Sequence, residues 1–153
     1  MDVDLPQRVG SELLSVRVGQ QAFALDILLV KEIRGWSAAT PLPHAPQHLL
    51  GMMDLRGTVM PVLDLGARLG LGSAMPTPTS VVVVVQVGDN TVGLLVEAVC
   101  DILQVSEGLI QPAPRAGTGM ASSFVSGVMT SDEGIISVLC LYYILSVEGA
   151  IAA

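Results

Sequence analysis

The stretch Gly51-Met-Met-Asp-Leu-Arg-Gly-Thr-Val-Met-Pro-Val-Leu-Asp-Leu65 organises the rest of the chain. Val59 to Leu65 is apolar enough for a buried strand. Pro61 lies inside it, and a proline has no N–H to give a ladder, so an edge or a bulge is expected there. Just before it, Arg56-Gly57 marks a turn in which the glycine is free to take positive φ. Arg56 is the only charged side chain between Asp54 and Asp64. A charge set between apolar runs needs a carboxylate, carbonyl groups or water. Two roles fit Arg56: a salt bridge that fixes the turn, or a polar anchor in a binding surface.

Outward from this loop, turn chemistry cuts the chain into short apolar runs. Leu13–Val18 and Ala22–Asp26 flank Gly19-Gln20-Gln21 and read as a hairpin. Ile27 to Ile33 is apolar but for Lys31 and Glu32, and Thr40 to Pro46 is a proline-rich extended loop. Gln47 to Met53 and Leu65 to Leu69 each suit a helical turn. Gly70 to Thr79 has the composition of a linker. Val81–Val87 is a β-branched run expected to be a central strand, with Thr91–Val96 as its hairpin partner. Val99–Val105 continues extended. Arg115 to Ser122 is glycine-rich and expected to be mobile. Phe124–Thr130 and Gly134–Leu141 flank Ser131-Asp132-Glu133 as a further hairpin, and Tyr142–Glu148 suits a short closing helix.

An internal repeat links these elements. A shift of 69 positions lays Val18-Gly19 on Val87-Gly88, Leu25 on Leu94 and Ile33 on Ile102. Val30 and Glu32 then fall on Val99 and Asp101. A shift of 76 lays Gly51 on Gly127, Leu63 on Leu139 and Leu65 on Leu141. Two copies of a five-strand pattern with short turns imply two small barrels or open sheets. Each is near the size at which a core is marginal alone, so they should pack on one another. A groove between them would suit a peptide or a helix.

Composition narrows the function. The 153 residues include 51% hydrophobic and 14% charged side chains, with few aromatics. Such a chain is expected to expose apolar patches for a partner to cover. A net charge of -7 argues against nucleic acid, which needs a basic face. No run of apolar residues approaches the ~20 of a spanning helix, and Met1 to Arg8 has neither the basic nor the apolar part of a secretory signal. Cys100 and Cys140 stand forty positions apart and form neither a disulfide framework nor a metal set.

Catalytic patterns are missing from the sequence. Pro46 lies between His44 and His48, so the two histidines cannot share a helix face. Asp54 and Asp64 suit turn and strand-end duty better than acid–base chemistry. No glycine-rich phosphate loop leads from a strand into a helix, and no serine sits in Gly-x-Ser-x-Gly.

The residues do carry a resemblance. Phe23 to Gly35, then Pro43, then Gly51 to Leu65 resembles the first half of CheW, the bacterial chemotaxis coupling protein family. Val92 to Leu103 with Ile110-Gln-Pro-Ala-Pro114 is similar to its second half, and Gly127 with the strand at 135–141 fits its closing hairpin. The likeness runs from Leu13 to Leu145. It implies an all-β fold of two intertwined five-stranded SH3-like β-barrel subdomains with short helical turns. On that reading residues 1–10 are a tail, 11–78 the first subdomain and 79–148 the second, together one CheW-like domain.

The resemblance further implies a non-catalytic scaffold with no cofactor or metal. Its partners would be the regulatory CheW-like domain of the histidine kinase CheA and the cytoplasmic helical hairpin of chemoreceptors, docked in the groove. It implies a cytoplasmic place at receptor arrays on the inner membrane face, without membrane insertion. By motif, Val30, Glu32, Arg56 and Gly57 fall on receptor-binding positions, and a Glu32–Arg56 ion pair at the groove edge is expected. Asp54 stands where asparagine is usual, Glu97 where aspartate is, and Cys140 where many members carry aspartate. Other assignments remain open: an adaptor of a pilus-motility or other non-flagellar chemosensory system, a fragment of a longer kinase or CheV-like protein, or a small-molecule-binding β-barrel or enzyme.

Overall fold

The computed structural model describes residues 12–72, 76–106, 109–112, 124–132 and 134–146. The expected tail at 1–10 and the glycine-rich stretch at 115–122 lie outside the described residues. So does part of the linker, at 73–75.

Ten strands follow the hairpin logic of the sequence: β1 (Glu12–Val18), β2 (Gln21–Asp26), β3 (Val30–Gly35), β4 (Leu49–Leu55), β5 (Thr58–Asp64), β6 (Val81–Val87), β7 (Asn90–Val96), β8 (Ala98–Gln104), β9 (Val125–Ser131) and β10 (Gly134–Leu139). Short helices α1 (Leu65–Arg68) and α2 (Leu141–Ser146) follow β5 and β10. They form two five-stranded sheets, ordered β8-β1-β2-β10-β9 and β3-β6-β7-β5-β4.

The second order is the first with every strand replaced by its repeat partner, β1 by β6, β2 by β7, β3 by β8, β4 by β9 and β5 by β10. The irregularities repeat as well. Lys31 is the extra residue where β3 meets β6, and Cys100 holds the corresponding place where β8 meets β1. A single bridge joins Thr40 to Met52 in one half and Gln111 to Val128 in the other. Turn glycines Gly19 and Gly88 have nearly equal φ, 62° and 61°. A chance alignment of apolar residues would not reproduce bulges and registers.

The expected intertwining of the two sheets takes a specific form, and one other expectation is corrected. The β1–β2 hairpin sits with β8, β9 and β10, and the β6–β7 hairpin with β3, β4 and β5, so each half lends its first hairpin to the other. Both lent hairpins are buried on both faces. Leu14, Val16, Phe23, Leu25, Val83, Val85, Val92 and Leu94 meet in the large core between the sheets. Leu13 and Ala24 turn into one sheet's own core, and Val82, Val84 and Leu95 into the other's. The corrected expectation concerns Gln47–Met53, which is not a helical turn. Leu49–Leu55 is strand β4, held by the Thr40–Met52 bridge on one side and β5 on the other.

Pro61 is explained by where its ladders begin. It lies opposite Met52 in the β4 ladder, and the parallel ladder to β7 starts only at Val62. The strand is internal to the sheet overall but still an edge at the proline.

Candidate functional site

Strands β3 and β4 are the two ends of their sheet. The sheet curls so that these ends approach, and two contacts link them: the Thr40–Met52 bridge, just beyond β3, and an ion pair between Glu32 on β3 and Arg56 in the β4–β5 turn. Arg56 Nη2 lies 2.6 Å from Glu32 Oε2 and Nη1 lies 3.3 Å from Oε1, a two-point contact between a planar guanidinium and a carboxylate. The expected pair therefore forms.

Its surroundings argue against a purely structural duty. The Arg56 side chain is 70% exposed and that of Glu32 28%. Ion pairs this open to water add little to stability. The Arg56 hydrogen bond holds the Glu32 carboxyl below its ordinary value; burial, the next influence in size, opposes this, and the charges of Arg56 and Arg34 reinforce it. Arg56 is raised in turn, first by the same hydrogen bond. The pair thus stays charged over the neutral range.

The turn itself is unusual. Arg56 has φ 52° and Gly57 has φ 91°, and Asp54 Oδ1 accepts the Gly57 N–H at 2.8 Å. Gly57 contributes backbone freedom at this spot, and nothing stands within 4 Å of where its Cβ would be. Val30 is different from the other three residues. It is partly buried against the core between the sheets, and so sets the position of β3 more than it offers a surface.

Exposed apolar side chains flank the pair in sequence. Ile33 follows Glu32 and is 47% exposed, and Val59, opposite Asp54 in the ladder, is 65% exposed. Sequence reasoning did not single these out, although the repeat gave a signal: Ile33 corresponds to Ile102 and Val59 to Ile135, and all four are exposed.

The cleft between the subdomains does not include the four expected residues. It has a volume of about 300 Å³ and is lined by Arg17, Val18, Asp64, Ser80, Val96 and Glu97 among others. Asp64 there caps α1, accepting the Ala67 N–H, and Glu97 accepts the Gly19 N–H. Both carboxylates thus serve the fold locally. Among the described residues no three histidine, cysteine, aspartate or glutamate side chains group to hold a metal. No helix among them is long and apolar enough to cross a membrane.

Comparison with known proteins agrees with this geometry. Residues 12–150 match the model of the CheW-like domain. The chain is 49% identical over 127 residues to the chemotaxis protein CheW of Rhizobium meliloti, covering 83% of this chain and 82% of that one. It is 44% identical over 135 residues to a probable chemotaxis protein CheW of Rhizobium etli, covering 88% and 87%. The crystal structure of scaffolding protein TtCheW from Thermoanaerobacter tengcongensis superposes with a TM-score of 0.82 at 27% identity, over 93% of this chain and 92% of that one.

Proposed function

The chain belongs to the CheW family, a family of chemotaxis adaptors and not of enzymes, and from that premise we propose that it couples chemoreceptors to the histidine kinase CheA. The receptor contributes the cytoplasmic tip of its helical hairpin, and the kinase contributes its own CheW-like regulatory domain. The protein would act in the cytoplasm, at receptor arrays on the inner membrane face. It works by contact alone.

One observation carries the receptor side of this reading: the exposed, two-point Glu32–Arg56 pair that ties the opposite ends of one sheet. A receptor helix presents charged side chains along its polar face, and an exposed ion pair offers them partners of either sign. Glu32, Arg56 and Gly57 form the receptor-binding surface in this proposal, and Val30 supports it from beneath. Single contacts of this kind are weak, and the strength of an array comes from many of them together.

The test is charge reversal in both orders. Arg56→Glu and Glu32→Arg each place like charges together and should weaken capture of a receptor hairpin about tenfold or more, as loss of a charged contact does. Thermal unfolding should change little, because the pair is exposed. The double reversal should restore the pair but not the receptor contact. Receptor binding by both single variants at wild-type affinity would refute the assignment, and unfolding of both would return Arg56 to a structural role.

A further inference from the structure

Arg56 is held in a conformation that an L side chain rarely adopts. Among the described residues only His44 and Arg56 are non-glycine residues with positive φ. A two-residue hairpin loop with positive φ at both positions suits asparagine and glycine, not arginine. The internal repeat supplies a control. The β9–β10 hairpin pairs Ser131 with Gly134 as β4–β5 pairs Leu55 with Thr58, so its loop is equally short. Its counterparts of Asp54 and Arg56 are Thr130 and Asp132, and Asp132 is not among the residues with positive φ. There the positive φ falls on Gly134, at 117°, so a hairpin in this register does not by itself require an arginine in left-handed geometry. Strain kept at one position while the fold does without it elsewhere points to function.

In the same turn Asp54 Oδ1 accepts the Gly57 N–H at 2.8 Å. We propose that Asp54 is a positioning residue: by holding the Gly57 N–H it keeps Arg56 in the left-handed conformation from which the guanidinium reaches Glu32 across the ends of the sheet. The value of this for receptor binding rests on the reading of Glu32 and Arg56 given above. The carbonyl oxygen of asparagine can accept the same hydrogen bond, so the role belongs to the acceptor's position and not to its charge.

Three variants separate position from charge. Asp54→Asn keeps the acceptor and loses the charge. Asp54→Glu keeps the charge and moves the carboxylate one methylene away. Asp54→Ala loses both. The readout on the free protein is the titration of the Glu32 carboxyl, followed by carbon-detected NMR. The second readout is affinity for a receptor hairpin.

Glu32 should titrate in Asp54→Asn as in the wild type, and at a higher pH in Asp54→Glu and Asp54→Ala. Receptor affinity should stay within about twofold in Asp54→Asn and fall about three- to tenfold in the other two, the range expected for one hydrogen bond. The conservative pair of variants carries the test even if Asp54→Ala does not fold. Glu32 titrating alike in all folded variants overturns the proposal. So does the reverse pattern, with Asp54→Glu normal and Asp54→Asn altered, which would make Asp54 a charge and not a holder. If the titrations move as expected while receptor affinity does not, Asp54 is upheld as the holder of Arg56 and the receptor reading of the pair is what fails.

Discussion

At the scale of single residues, the histidines are worth separating. His44 and His48 do not meet around a ligand, and His48 instead accepts the burden of burial. Its Nε2 is buried with no hydrogen-bond partner, and its backbone carbonyl accepts the Asp64 N–H at 2.8 Å. Burial holds the imidazole below its ordinary value of 6.5, with a smaller contribution from the Arg68 charge. The sign follows from linkage: a base with a lowered value in the folded state is neutral there while the unfolded chain still binds a proton. Stability therefore falls as pH drops from above 6.5 toward the lower folded value, and the full penalty applies below it. The repeat names the substitution that tests this. Phe124 stands at the matching place, its carbonyl accepting the Cys140 N–H at 2.8 Å. His48→Phe should fold and should lose the decline in melting temperature that sets in as pH falls through about 6.5, the ordinary histidine value. A melting curve that keeps the same slope in this variant would assign the pH dependence to other groups.

At the scale of elements, glycines decide where chains cross. A Cβ on Gly51 would collide with the Thr40 carbonyl oxygen, and one on Gly127 would lie 2.9 Å from the Gln111 carbonyl oxygen and 2.7 Å from Ile110 Cγ2. Each glycine underlies the bridge of its own half. Gly51 also has φ 151°, so Gly51→Ala should cost roughly 2–4 kcal/mol from strain and overpacking together. Chemical denaturation measures this, and a loss under about 1 kcal/mol would mean that the bridge simply moves aside. The repeated Gly51 and Gly127 were visible in the sequence, as were the hairpins around Gly19 and Gly88, because turn chemistry is local. Strand β4 was not. Leu49, Leu50, Met52 and Met53 have helical spacing as well as strand spacing, and what selects the strand is its pairing, with β5 on one side and Thr40 on the other. The Glu32–Arg56 pair spans 24 positions, and no local signal joins its members; the resemblance to a known family did. The Asp54 turn needed only the residues from 54 to 57, and was legible as turn duty.

At the scale of the whole molecule, the exchange of hairpins sets what can fold alone. Both β1–β2 and β6–β7 are apolar on both faces, so neither face tells which sheet a hairpin will join. That is why the repeat was legible from the residues, while the intertwining came only from the resemblance. The consequence is physical. A chain ending at residue 78 would have β3, β4 and β5 without the β6–β7 hairpin that sits between them, and β1–β2 without β8, β9 or β10. Its share of the core between the sheets, including Leu14, Val16, Phe23 and Leu63, would face water. Each fully buried aliphatic side chain contributes about 1.5–3 kcal/mol, and a domain's net stability is only about 5–15 kcal/mol, so neither half should fold by itself. Fragments 1–78 and 79–153 should each lack a cooperative unfolding transition. Mixed in equal amounts they should recover strand circular dichroism and unfold together, with a midpoint that rises with concentration. If fragment 1–78 alone unfolds cooperatively as a monomer, the hairpins are not exchanged and each half is its own subdomain.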